Sequence, residues 1–593
     1  MRAVTSSDEP RLNFRPESLR GTGCALVLIA CLATGARADI RVEITGVEGP
    51  MRDNVLAYLS LQRYAKRDEL DAAMIERLFL RAPKEARDAL RPFGYYDARV
   101  RSQLLPEGND WRVRLRIEPG TPVILQATNI EVTGPGAEDK PFKTVIGQSG
   151  LSPGTRLNHA EYERTKGELQ RTAAAIGYLD ARLTGSEMLV DPAKHTANIV
   201  LKLDTGPRYR FGKKTIEQDV IDQRLFLRYL RYHESDYYDA IAVLGTQFAL
   251  DDSQYFSVVE VTPGMRDRQA LTVPISIRAQ PVRRDRYTFG FGYGTDTKWR
   301  GTVGWDNRRI NRRGHRSRIQ IKGSSITQEI TGQYLIPVGD PALEKLSLDA
   351  KIGKQKLADV NTRTVELRPG LTQVLGRWQR VLFVRFTSTR TQTTLEDRKD
   401  NLVIPGISIA PLAGRTFSQP VIGRGFYAEL TGSHHVLGSD ANYLRLDVQD
   451  EKVFDLSPKW HLITRAELGV SFVGNFSELP ASERFFAGGD RSVRGFGLNE
   501  LSPVDAAGNK VGGRHLIVAS IEIERDLPKR FAIAAFVDAG NAVNKLSDPL
   551  EYSAGIGFRL KLPVISLGID VAQPLSRSDL GPRLHLNITP NIR

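Results

Sequence analysis

Ile517-Val-Ala-Ser-Ile-Glu-Ile-Glu524 puts Ile517, Ala519, Ile521 and Ile523 on one side of an extended chain and Val518, Ser520, Glu522 and Glu524 on the other. The period recurs on both sides of this stretch. Tyr287, Phe289, Phe291 and Tyr293 alternate with Thr288, Gly290, Gly292 and Gly294. Ala554, Ile556, Phe558, Leu560 and Leu562 alternate with Gly555, Gly557, Arg559 and Lys561, and Ile565, Leu567, Ile569 and Val571 with Ser566, Gly568, Asp570 and Ala572. Strands with one apolar face and one charged or tiny-residue face suit a wall between lipid and water. A soluble β-sandwich alternates too. The length of the run, the recurring charges and the export signal described below argue against it. The expectation is a transmembrane antiparallel β-barrel over residues 283–593. A spanning strand needs about 9–11 residues, so sixteen strands leave about ten residues per connection. Twelve or eighteen also fit, and sixteen is the expected number.

The 593-residue chain has a net charge of +14 and a mean hydropathy of −0.30. No apolar run after the N-terminus reaches the length of a spanning helix, which excludes a helical membrane protein but not a barrel. Arg2, Arg11, Arg15 and Arg20 precede the apolar run Cys24–Thr34, and Ala36-Arg37-Ala38 forms a small-x-small cleavage pattern. Residues 1–38 therefore read as a signal peptide. Leu28-Ile29-Ala30-Cys31 also resembles a lipoprotein box, ranked below simple cleavage after Ala38. Both cysteines, Cys24 and Cys31, lie in this segment. A mature chain from Asp39 would have no thiol for a disulfide, a metal or a nucleophile. The basic residues are scattered rather than patched, which fits a lumenal lining and anionic headgroups better than nucleic acid.

Residues 39–281 carry a repeat. Gly94-Tyr-Tyr-Asp-Ala-Arg-Val100 returns as Gly177-Tyr-Leu-Asp-Ala-Arg-Leu183 and, more weakly, as Gln254-Tyr-Phe-Ser-Val-Val-Glu-Val261. A spacing of about 80 residues is the size of a small domain rather than a solenoid unit. Three modules are expected, at 39–120, 121–206 and 207–281. Each opens on a strand (Ile40–Ile44, Asn129–Val132, Tyr209–Lys213). Amphipathic helices such as Asp68–Leu80 and Glu161–Ile176 follow. Each ends on a Gly-Tyr turn and two strands, giving a β-α-α-β-β order. The glycine lets the chain leave the helix through a left-handed conformation.

At Phe485-Phe-Ala-Gly-Gly-Asp490-Arg-Ser-Val-Arg494-Gly495-Phe496 the chain resembles the superfamily that joins periplasmic POTRA modules to an outer-membrane barrel. Gly290-Phe-Gly-Tyr-Gly-Thr-Asp296, Ser520-Ile-Glu522 and Phe536-Val-Asp538-Ala-Gly540 extend the likeness. With three modules and this wording, it is similar to the TamA branch, the outer-membrane subunits of the translocation and assembly module. The resemblance implies three POTRA modules, and a loop with Arg494, Gly495 and Phe496 folded into the lumen. It implies that Arg494 pairs with Asp538 and Glu522. It also implies clients such as autotransporters, a TamB-like inner-membrane-anchored partner docking on the modules, and a part in phospholipid traffic. The alternation by itself points both carboxylates inward, and a guanidinium can grip a carboxylate with two bonds where lysine cannot.

A barrel closes where its first strand meets its last. The first, Arg286–Thr295, carries three glycines, and the last, Arg583–Arg593, contains Pro590, which lacks an N–H. Poor pairing on both sides predicts a weak lateral seam, with Tyr287, Phe289 and Phe291 on one edge and Leu586, Ile588 and Pro590 on the other. An open edge is a template for an added strand. The chain ends Ile592-Arg593 rather than on an aromatic residue.

Other motifs carry less. Gly150-Leu-Ser152-Pro-Gly154 matches G-x-S-x-G without the strand–turn–helix context, so Ser152 reads as a turn residue. His434 and His435 are adjacent and face opposite sides of a strand, a poor metal pair. Gly212-Lys-Lys-Thr215 lacks the upstream glycine and helix of a phosphate-binding loop. No catalytic constellation, metal site or cofactor is expected. The competing readings are a two-partner secretion pore, which usually has two modules, and a passive porin, which has none.

Overall fold

The computed structural model describes residues 40–64, 71–108, 110–395, 397–412, 425–562 and 565–590. The expected signal segment, 1–38, and the Ile592-Arg593 end lie outside the described residues. Three small sheets precede a closed barrel. The first combines Ile40–Thr45, Arg99–Glu107 and Asp110–Glu118. Its opening strand runs parallel to the third and lies at the edge away from the second. The same order holds for Ile124–Thr133, Arg182–Asp191 and Thr196–Asp204, and for Arg210–Glu217, Phe256–Pro263 and Thr272–Pro281.

Helices cover these sheets. Ala72–Leu90 is capped by Asp71, whose side chain accepts the Met74 N–H at 2.6 Å. It runs ten residues past the expected end at Leu80, because Ala82, Ala86 and Ala89 extend its buried stripe. Such small residues give a weak amphipathic signal, and Pro83 within the helix obscures it further. The turn after each last helix behaves alike. Gly94 and Gly177 have φ of +87° and +96°, and Gln254, where the third copy lacks glycine, has φ +64°. The backbone conformation survives the loss of the residue that favours it.

Sixteen strands among the described residues close the barrel. The first eight are β1 Asp285–Gly294, β2 Lys298–Asn307, β3 Arg316–Gly323, β4 Thr327–Pro337, β5 Glu344–Leu357, β6 Val360–Leu375, β7 Trp378–Gln392 and β8 Asp397–Pro411. The rest are β9 Tyr427–Ser433, β10 Tyr443–Ser457, β11 Trp460–Val473, β12 His515–Asp526, β13 Phe531–Val543, β14 Glu551–Lys561, β15 Ile565–Pro574 and β16 Arg583–Pro590. The burial is that of a soluble protein turned inside out. In β12, Ile521 is 58% exposed and Glu522 4%; in β13, Ile533 and Val537 are exposed while Ala534, Phe536 and Asp538 are buried. An apolar outer belt around a polar interior is what hydrocarbon outside and a filled lumen inside require. No helix among the described residues is long and apolar enough to cross a membrane.

The third module and the barrel belong to one compact unit. Arg228 Nε donates to the Gly339 carbonyl at 2.9 Å and Arg231 pairs with Asp340, both on the β4–β5 turn. Tyr255 Oη donates to the Gly314 carbonyl on the β2–β3 turn at 2.6 Å. Both turns lie at the end of the barrel from which the module enters.

Candidate functional site: the lumenal loop and the barrel seam

The longest barrel connection, residues 474–514, joins β11 to β12. Short bridges, Phe485 with Gly513 and Ala487 with Leu501, fold it on itself. Gly488 (φ +101°) is obligatory there, since a Cβ would stand 2.3 Å from the Gly497 carbonyl oxygen. The loop buries Phe485, Val493 and Phe496 against Leu516, Val518 and Ala542 of the wall.

At its tip Arg494 is 1% exposed. Its Nε and Nη2 donate to the two oxygens of Asp538, each at 2.8 Å, and its backbone N–H adds a third bond to that carboxylate at 3.1 Å. Nη1 donates to Glu522 Oε2 at 2.6 Å, and Nη2 also reaches Ser520 Oγ at 3.2 Å. The Phe536 ring lies 3.3 Å from the guanidinium carbon. Glu522 and Asp538 sit on the wall face opposite the exposed Ile521 and Val537, so the arginine is anchored from inside the barrel. Arg465 and Arg559 approach Glu522, and Arg559 also pairs with Asp570. Three guanidiniums thus face three carboxylates, and no net charge is left buried. A Cβ on Gly495 would meet Ser553 Cβ at 2.7 Å and Pro574 N at 3.1 Å, so the tip passes against the wall.

The structure brings Arg494, Asp538 and Glu522 together and packs Gly495 and Phe496 beside them. The sequence offers Ser520 and Phe536 only as members of the motifs that carry Glu522 and Asp538, and it gives Arg465 and Arg559 no site role. Ser520 and Phe536 stand two residues from Glu522 and Asp538 on the same faces, the one signal that could have found them.

The same loop reaches the seam. The Asp490 N–H donates to Asp296 Oδ2 in the β1–β2 turn at 3.0 Å. The Asp490 carboxylate pairs with His585 Nδ1 of β16, and His585 Nε2 bonds the Arg494 carbonyl. Asp296, Asp490 and His585 bring potential ligand atoms within 4.8 Å of one another. With both ring nitrogens engaged, the trio is a hydrogen-bonded tie between first hairpin, loop and last strand.

Between β1 and β16 the ladder holds one register pair, Gly294 opposite Asn587. Beside it Thr295 N–H donates to the Leu586 carbonyl at 3.2 Å, and Leu586 N–H to Thr295 Oγ1 at 3.4 Å. By contrast β1 pairs β2 along its whole length and β16 pairs β15 from Arg583 to Pro590. Tyr287, Phe289 and Phe291 point outward and are exposed, with no ladder partner in β16. Leu586 meets Thr295, Ile588 meets Arg300 of β2 (Nη2 to its carbonyl, 2.7 Å), and Pro590 pairs in register only with Ile565 of β15. Sequence reasoning ran the seam along the whole first strand, Arg286–Thr295; the one register pair lies at its Gly294 end.

Residues 419–588 match the Omp85 superfamily domain, and residues 41–119 match the first POTRA domain of TamA. By these two matches the chain is TamA/BamA-like. The outer membrane protein assembly factor BamA of Nitratidesulfovibrio vulgaris is 21% identical over 375 residues, a match covering 59% of this chain and 46% of that protein. The chain thus spans about half the length of that curated relative. The crystal structure of BamA from Haemophilus ducreyi lacking POTRA domains 1–3 superposes with a TM-score of 0.61 at 16% identity, covering 79% of this chain and 99% of that one. An Omp85 barrel with POTRA modules resides in the outer membrane with its N-terminal modules in the periplasm.

Proposed function

We infer that this chain is an outer-membrane assembly and translocation factor of TamA type. It inserts or secretes β-rich clients, such as autotransporters, by strand addition at the seam between β1 and β16. A TamB-like inner-membrane-anchored protein docks on the periplasmic modules, with the first module as its site, and outer-membrane lipid surrounds the barrel. The work involves no bond chemistry.

One observation carries this reading: among the described residues the junction between the barrel's two ends holds a single register pair, fewer than any other junction of the barrel. Backbone groups along such an edge recruit an extended segment by β-augmentation, whatever its sequence. The lumenal loop supports it, since Arg494 and His585 hold loop and last strand in one network, so movement of β16 is coupled to the plug.

The test is a locked seam in the full chain. Gly294 and Asn587 face each other without sharing a hydrogen-bonded pair, the site where antiparallel backbones come closest, at about 4.5 Å. Gly294→Cys with Asn587→Cys should crosslink on oxidation, abolish client insertion into liposomes, and recover with reductant. Full insertion with the crosslink closed would refute the gate.

A further inference from the structure

The lumenal face of β1 is Thr288, Gly290, Gly292 and Gly294, and β2 sets Arg300 in register with Gly292. A Cβ at position 292 would stand 2.8 Å from Arg300 Nε and 3.4 Å from its Cγ. The arginine therefore lies across bare backbone. It passes over β1 altogether, and its Nη2 donates to the Ile588 carbonyl of β16 at 2.7 Å.

That carbonyl has a specific place in the sheet. Thr295 N–H donates to the Leu586 carbonyl. In an antiparallel ladder the next hydrogen-bonded pair lies two residues along each strand, which is Tyr293 with Ile588. The β1–β16 register stops at Gly294 and Asn587. A guanidinium from the neighbouring strand occupies the acceptor that the Tyr293 N–H would take if the ladder went on.

The geometry points to Arg300 as a detachable clasp on the last strand. This rests on the strand-addition reading of the seam and names what an incoming strand displaces. At rest the guanidinium satisfies the Ile588 carbonyl and holds β16 against the barrel. An extended client segment offers its own backbone N–H to that carbonyl, and Arg300 swings back into the polar lumen. A charged donor makes the stronger bond to one acceptor, while a strand brings several N–H groups at once, so the exchange favours the strand only when it pairs over several residues. Gly292 is the passage, and any side chain there closes it.

The test reads the seam directly in the full chain in phosphatidylethanolamine/phosphatidylglycerol liposomes, without client. Spin labels on Tyr287→Cys and Ile588→Cys report the distance between the strands, and heat-modifiable gel mobility confirms a folded barrel. Arg300→Ala should raise the ratio of open to closed seam about tenfold or more, the effect of losing one hydrogen bond from a charged donor. Arg300→Lys should fall between wild type and Arg300→Ala. Gly292→Val, with the arginine intact, should match Arg300→Ala, and the two combined should add nothing. An unchanged distance distribution in Arg300→Ala, or a closed seam in Gly292→Val, overturns the clasp. Failure of the wild-type chain to accelerate client insertion would sink the assembly reading instead and leave the distance result standing.

Discussion

Arg494 is the most consequential side chain, because it is a buried charge whose partners come from two strands. Removing one member of a buried ion pair costs about 3–5 kcal/mol, since the remaining charge stays desolvated. Arg494→Ala should therefore release the 474–514 loop, seen as rapid protease nicking and loss of complementation. Arg494→Lys keeps the charge but cannot grip Asp538 with two bonds and reach Glu522 at once, so it should rank between wild type and alanine. Equal protection of wild type and Arg494→Ala would refute the anchor. Gly495 acts by size alone. Gly495→Val would drive a side chain into Ser553 and the Pro574 backbone, and should expel the tip with Arg494 still present, giving the same nicking pattern.

At the scale of elements, the Gly-Tyr turn shows one device put to different uses. Tyr178 is buried and Tyr95 half-buried, whereas Tyr255 spends its hydroxyl on a barrel turn. Burial pushes the Tyr255 phenol up from its ordinary value, so it remains a protonated donor throughout the physiological range. Gly314, at φ +76°, leaves room for it; a Cβ would stand 2.5 Å from Leu225 Cδ2 and 2.6 Å from Tyr255 Oη. Gly314→Val should lift the third module from the β2–β3 turn, read as faster hydrogen exchange across 207–281 with the barrel intact. Tyr255→Phe removes one bond and should cost about 1 kcal/mol in the same measurement. Unchanged exchange in Gly314→Val would show that this turn does not hold the module.

For the whole molecule the governing fact is the inverted burial, with isoleucines outside and glutamates inside. Residues 283–593 expressed alone should require detergent or lipid to stay dispersed, and should precipitate when it is removed. A water-soluble segment would contradict the membrane placement at its root. The closed ring also explains why the seam matters, since a barrel has no edge except where its ends fail to pair. Here the ends are joined largely by side chains: Thr295, Arg300 and the Asp490–His585 tie. Side-chain fasteners let go one at a time, whereas a continuous ladder does not.

The sequence by itself determined the wall and its orientation. Period-2 alternation of Ile521 with Glu522, or Phe536 with Val537, is local, and it assigns each residue a face before any strand has a neighbour. The three-module repeat was legible for the same reason, since Gly94 and Gly177 mark a conformation their own backbone requires. The course of the seam was not legible. Arg300 and Ile588 are 288 residues apart, and Asp296, Asp490 and His585 come from three separate segments. Nothing local tells a glycine that merely weakens a strand from one that lets a neighbour's arginine cross it. That distinction arises only when the ring closes and brings its two ends side by side.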